Sequence, residues 1–149
     1  MVRVAEAREA EVVAALLHDF NTEFDTPSPG VTVLAARLRA LLGGASTIAL
    51  LAGEPASGVA LVTLRPNVWY AGPVALLDEL YVRPELRGRG TGTALLGLAC
   101  VVVRERDARL FEVYVDEGDA GARRFYERHG FTTTPGGRSD RMLYYEREL

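Results

Sequence analysis

Arg87-Gly88-Arg89-Gly90-Thr91-Gly92-Thr93 is the stretch on which the reading of this chain turns. Before it runs Leu76-Leu77-Asp78-Glu79-Leu80-Tyr81-Val82, which reads as a buried strand stopped by Pro84. After it Ala94, Leu95, Leu98 and Val102 recur at the spacing of one helix face. A glycine-rich turn between a strand and a helix leaves backbone N–H groups without partners at the positive end of the helix dipole. Such a turn is suited to hold a phosphate or pyrophosphate. Glycines matter there because a side chain would keep the anion away from the backbone.

Three phosphate-binding patterns compete for the loop. G-x-x-x-x-G-K-[ST] needs a lysine, and none lies nearby. G-x-G-x-x-G finds Gly88 and Gly90 but meets Thr93 at its third glycine. The pattern [QR]-x-x-G-x-[GA] is matched by Arg87, Gly90 and Gly92. Downstream, Leu110 to Val115 reads as a strand, followed by Asp119-Ala120-Gly121-Ala122-Arg123-Arg124-Phe125-Tyr126-Glu127-Arg128-His129-Gly130-Phe131. On these two motifs the chain resembles the GCN5-related N-acetyltransferases (GNAT), whose second motif is usually worded N-x-x-A-x-x-F-Y-E-x-x-G-F. Ala122, Phe125, Tyr126, Glu127, Gly130 and Phe131 fall on that wording, and Asp119 stands where asparagine is usual. The resemblance is tightest over residues 75–131.

Composition sets the outer bounds. At 149 residues, 48% apolar and 25% charged, the chain has the length and make-up of one globular domain, 1–149. A lone cysteine, Cys100, excludes an internal disulfide and any multi-cysteine metal site. There is no apolar run of membrane-spanning length and no N-terminal signal pattern, so a cytoplasmic protein with no membrane partner is expected. A net charge of −3 argues against a nucleic-acid partner, which needs a basic face.

The order of predicted elements is β-α-α-β-β-β-α-β-α-β. Val2–Val4 is a short strand, 6–24 and about 32–42 are helices, and 47–52 and 57–64 form a hairpin. Residues 65–72 form a loop carrying Trp69 and Tyr70, and Met142-Leu143-Tyr144-Tyr145 reads as a last strand closing the sheet. The fold class is α/β, a mixed sheet of α+β arrangement with helices on both faces. The resemblance implies the same order, the GNAT acyl-CoA fold, with two parallel strands splayed to admit the pantetheine arm of acetyl-coenzyme A. No metal cofactor is expected.

Acetyl transfer to an amine needs a base for the ammonium proton, a polarised thioester carbonyl and a proton for the leaving thiolate. Glu79 is the first candidate base. Strict alternation puts Leu77, Glu79 and Tyr81 on one face and Asp78, Leu80 and Val82 on the other. A bulge would exchange the faces and favour Asp78, and water alone remains a third route. By the resemblance, backbone N–H groups near Leu80, Tyr81 and Val82 face the thioester. Residues Arg87, Gly88, Arg89, Gly90, Thr91, Gly92 and Thr93 hold the pyrophosphate, and Tyr126 meets the sulfur. Asp119 takes the place of an asparagine that offers an N–H toward pantetheine; a carboxylate cannot donate.

Acceptor choice in such enzymes is made by the first two helices and the loop before the central strand. Phe20, Glu23, Phe24, Trp69, Asp78 and Asp116 mix carboxylates with aromatics, which suits a cationic acceptor such as an aminoglycoside, a polyamine or a basic peptide end. The 20–24 and 116–119 segments are weakly similar to aminoglycoside 3-N-acetyltransferases. The alternative function is a non-catalytic acyl-CoA binding or sensing module, which needs the loop but not Glu79 or Tyr126. Homodimerisation fits the family's habit of pairing through sheet edges or helices.

Overall fold

Alternating apolar residues in the middle of the chain build a sheet, and helical stripes on either side of them in sequence cover it. The computed structural model describes residues 1–149. Five strands, β1 (Val2–Val4), β2 (Thr47–Ala52), β3 (Gly58–Arg65), β4 (Val74–Val82) and β5 (Leu110–Val113), lie in that order across one sheet. The first four pair antiparallel, and β5 pairs parallel to β4. Between them come helices α1 (Ala10–Glu23), α2 (Val31–Leu42) and α3 (Thr91–Glu105), with α4 (Ala120–Arg128) after β5. None is long and apolar enough to cross a membrane.

The two sheet faces are filled by alternate residues of the same strands. Ala49, Leu51, Val59 and Tyr81 form a buried cluster with Ala10, Val13, Ala14 and Leu16 of α1 and Ala35 and Leu38 of α2, and Leu61 packs against it. On the other face the α-carbon of Gly58 approaches Leu95 of α3 so closely that an added Cβ would sit 3.2 Å from that side chain. The inward side of α3, Leu95, Leu96, Ala99, Val102 and Val103, is fully buried. Burying each such leucine contributes roughly 1.5–3 kcal/mol.

The chain divides into two compact units, Met1–Val113 and Tyr114–Leu149. The first holds the whole sheet with α1, α2 and α3. The second holds α4, none of whose residues is buried, and the tail. The expected last strand is not formed: residues 139–149 carry no regular structure, and Met142, Leu143, Tyr144 and Tyr145 are 74%, 65%, 65% and 85% exposed. A strand exists only through a partner's hydrogen bonds, and this run has none. It is short, apolar throughout rather than alternating, and flanked by Asp140-Arg141 and Glu146-Arg147-Glu148. Side chains hold it instead. Arg141 pairs with Glu117, the Tyr144 ring lies 5.2 Å from that of Tyr114, and the Tyr144 hydroxyl donates to Glu146 at 3.2 Å.

Candidate active site

β4 carries the site because its two edges end differently. Toward β3 it is paired from Val74 to Val82 except at Asp78; toward β5 pairing stops at Leu77–Val113, leaving the second half of β4 without a paired strand on that side. The N–H of Arg83 donates to the carbonyl of Ser57 at 2.9 Å. By antiparallel alternation Tyr81 and Glu79 also bond toward β3, and the N–H and C=O groups of Leu80 and Val82 turn to the open edge. The Val82 carbonyl there accepts a hydrogen bond from Arg87 Nε at 2.8 Å. β5 itself ends at Val113, where its pairing with β4 ends.

The loop that follows β4 is a cradle of backbone N–H groups. Gly88 and Gly90 have φ of +73° and +83°, and Gly90 is the N-cap of α3 without a capping side chain. The first bond of the helix is from the N–H of Ala94 to the carbonyl of Gly90 at 2.9 Å. No amide N–H from Gly88 to Thr93 meets an acceptor within the protein, so these donors converge with the helix dipole and face solvent. Arg89 is exposed beside them. Donors of this kind fit the pyrophosphate of acetyl-coenzyme A: they supply N–H groups and positive potential, and the glycines leave room for close approach.

Arg87 ties the loop to α1. Its guanidinium pairs with Glu23 at 2.8 Å, with bonds to both carboxylate oxygens, and lies 5.6 Å from the centre of the Tyr81 ring. Arg83 likewise pairs with Asp19 at 3.3 Å. The end of α1 is therefore bolted to the cradle by acids four residues apart meeting arginines four residues apart. That matching interval was visible in the sequence but went unused. Glu23 is engaged by Arg87, and Phe20 stacks on Tyr81 with ring centres 5.1 Å apart while Phe24 meets Phe20 edge-on at 5.4 Å. Tyr81 itself is buried.

The carboxylates are arranged by a bulge. Leu61 pairs with Glu79 and the next residue, Val62, with Leu77, so Asp78 has no partner. Leu77 thus shares the α3 face with Val62, not the face of Glu79 and Tyr81 as strict alternation expects. Asp78 does not cross to that opposite face. Its Oδ2 accepts a 2.8 Å hydrogen bond from Thr63 Oγ1, and Thr63 alternates with Leu61 on the α1–α2 side. Both carboxylates therefore stand on one face. Burial pushes the Glu79 carboxyl above the usual glutamate range, and the neighbouring Asp78 charge adds to the rise. Burial also raises Asp78, opposed by the Thr63 hydrogen bond. Glu79 has no hydrogen-bond or ion-pair partner of its own. Thr63 was missed in the sequence because a threonine in a strand announces nothing until the register is known.

Trp69 precedes β4 in the chain. It is 86% exposed in the loop that enters β4, its N–H and that of Tyr70 tied to Asn67 Oδ1 at 2.8 and 2.9 Å. The cradle leaves β4 at the far end, and eight residue steps of strand separate the two ends by roughly 26 Å. In the second unit, Asp119 is the N-cap of α4, its Oδ1 accepting from the N–H of Ala122 at 2.9 Å. The Asp116 carbonyl accepts from the N–H of Asp119 at 3.0 Å and shapes that turn. Tyr126 lies in α4 among Phe125 and Phe131, ring centres 5.1 and 5.6 Å away. The helix ends at Arg128, and Gly130 follows its C-cap His129 with φ of +89°. The N–H groups of Phe131 and Gly130 return to the carbonyls of Tyr126 and Glu127, each at 3.1 Å.

The model of the Acetyltransferase (GNAT) family matches residues 11–131, and the chain belongs to that family. A presumed acetyltransferase of Arthrobacter sp. FB24, known from a crystal structure, is 54% identical, with a TM-score of 0.94 over 100% of this chain and 96% of that one. An uncharacterised N-acetyltransferase of Methanocaldococcus jannaschii is 43% identical over 58 residues, 39% of this chain and 26% of that protein. The mycothiol acetyltransferase of Beutenbergia cavernae is 40% identical over 72 residues, 46% of this chain and 24% of that protein. The chain spans about a quarter of the length of these two curated relatives.

Proposed function

We propose that this chain is an N-acetyltransferase that moves the acetyl group of acetyl-coenzyme A to a primary amine of a small molecule or peptide by direct attack in a ternary complex. The observation that carries the proposal is the run of unpartnered amides from Gly88 to Thr93 directly after a strand half that is open on one side and bears Glu79. When bound, acetyl-coenzyme A supplies an acetyl group already activated as a thioester.

The rest is the work of this chain's residues. The cradle amides and Arg89 neutralise the pyrophosphate. The N–H groups of Leu80 and Val82, turned to the open edge of β4, are donors for the pantetheine arm and the thioester oxygen. Glu79, whose raised proton affinity brings it nearer neutral pH, takes the proton of the incoming ammonium, directly or through water. Tyr126, which falls on the family's tyrosine, is the donor for the departing sulfur. Asp119 caps its own helix in this scheme and leaves the pantetheine to backbone donors. Asp78 and Glu79 favour an amine that arrives as a cation.

Free-thiol release from acetyl-coenzyme A across aminoglycosides, polyamines, amino acids and short peptides tests the proposal. One class of amine should raise thiol release, and Glu79→Gln should lower that rate by about 100-fold or more, the usual contribution of a general base. Unchanged turnover in Glu79→Gln would remove Glu79 from the chemistry.

A further inference from the structure

We propose that Asp78 is a positioning residue for proton transfer: the β4 bulge and Thr63 fix its carboxylate on the face of Glu79, where its charge sets how firmly Glu79 holds a proton. The inference rests on Glu79 being the base. In a regular strand Asp78 and Glu79 would point to opposite faces and the sheet would separate them. The skipped register at Leu61–Val62 removes that separation, and the 2.8 Å bond from Thr63 Oγ1 shows which side Asp78 occupies.

The bond also makes the two carboxyls unequal. A hydroxyl donating to a carboxylate favours its ionised form, whereas a carboxylate beside another disfavours ionisation of its neighbour. Asp78 accepts such a bond and Glu79 does not, so Asp78 is the better supported as a carboxylate and Glu79 the one whose proton affinity its neighbour raises. Charged groups on the elements around β4 have partners of their own. Arg65 of β3 pairs with Glu112 of β5, Asp19 and Glu23 of α1 pair with Arg83 and Arg87, and Arg39 of α2 pairs with Glu11. His18 of α1 is hydrogen-bonded to Ser28 at 2.8 Å. Asp78 is the one charged side chain that raises Glu79's hold on its proton.

The test is a carboxyl-carbon NMR titration of wild type, Asp78→Asn and Thr63→Ser, with the Glu79 resonance assigned by its loss in Glu79→Gln. Asn keeps the shape and an oxygen for the Thr63 hydroxyl while removing the charge. The Glu79 midpoint should move to lower pH in Asp78→Asn and stay at the wild-type value in Thr63→Ser. A midpoint unmoved by Asp78→Asn overturns the proposal. The acid limb of thiol release, measured with the amine found active, should move in parallel. Asp78→Asn should then keep a larger share of its pH 8 rate at pH 6 than wild type does. An acid limb that persists in Glu79→Gln contradicts Glu79 as base, a failure separable from an unmoved NMR midpoint.

Discussion

Glu79 is held where its charge is unwelcome. Its carboxyl has a higher proton affinity in the fold than in the unfolded chain, so the fold binds the extra proton. The favourable contribution of the protonated form is complete below the ordinary glutamate range and is lost as pH rises through the folded value. Around neutral pH the ionised side chain therefore weakens the fold. Glu79→Gln is expected to raise stability at pH 7 by about 0.5–1 kcal/mol, the size common for single stabilising substitutions, and to bring less gain at pH 4. Urea denaturation at the two pH values checks this. Gain of stability with loss of turnover is what a strained catalytic residue gives; equal stability at pH 7 would mean that Glu79 is better solvated than its burial implies.

At the scale of elements, β4 and the turn after α3 show how tightly the sheet end is set. A Cβ on Gly72, just before β4, would lie 2.1 Å from the carbonyl oxygen of Asp107 and 2.8 Å from its carbon. Those are backbone atoms that cannot swing away. Gly72→Ala is expected to cost about 3 kcal/mol or more, read as a lower urea midpoint with the cradle untouched. The same strand shows what was legible in the sequence. Leu76 to Val82 announced itself by its apolar run, and Gly90-Thr91 by its glycine before a helical stripe, because both signals are local. The bulge at Asp78 depends on how β3 pairs with β4, and no residue of β4 alone encodes it. Arg87 was legible as part of the motif, while its partner Glu23 was not, since the pair spans two elements far apart in the chain. Trp69 lies in the loop at the start of β4, the end away from the glycine-rich loop. Met142 to Tyr145 read as a strand for its apolar run, but pairing is non-local and the run found none.

For the whole molecule, burial is concentrated in the first unit. Leu95 and Ala99 of α3 are 0% exposed, whereas α4 has no buried residue. Hydrogen exchange follows the opening free energy of each region. The central amides of α3 are expected to exchange only at the global unfolding rate, and those of α4 and the tail many-fold faster. Protection of α4 equal to that of α3 would contradict this distribution. The net charge of −3 sits on a chain whose unpaired amides from Gly88 to Thr93 gather at one strand end, so the proposed anion site rests on local backbone donors rather than on a basic surface.

The central claim is that the Gly88–Thr93 cradle binds acetyl-coenzyme A, and titration calorimetry of wild type against Gly92→Asp tests it most directly. Aspartate in the first turn of α3 suits the helix dipole and should leave the thermal midpoint within a few degrees of wild type, yet it puts a negative charge where the pyrophosphate must sit. Saturable binding to wild type and at least a roughly 100-fold weaker affinity in the variant, about 2.7 kcal/mol, is the predicted result. Equal affinity in the two proteins would contradict the assignment of the loop and, with it, the proposed chemistry.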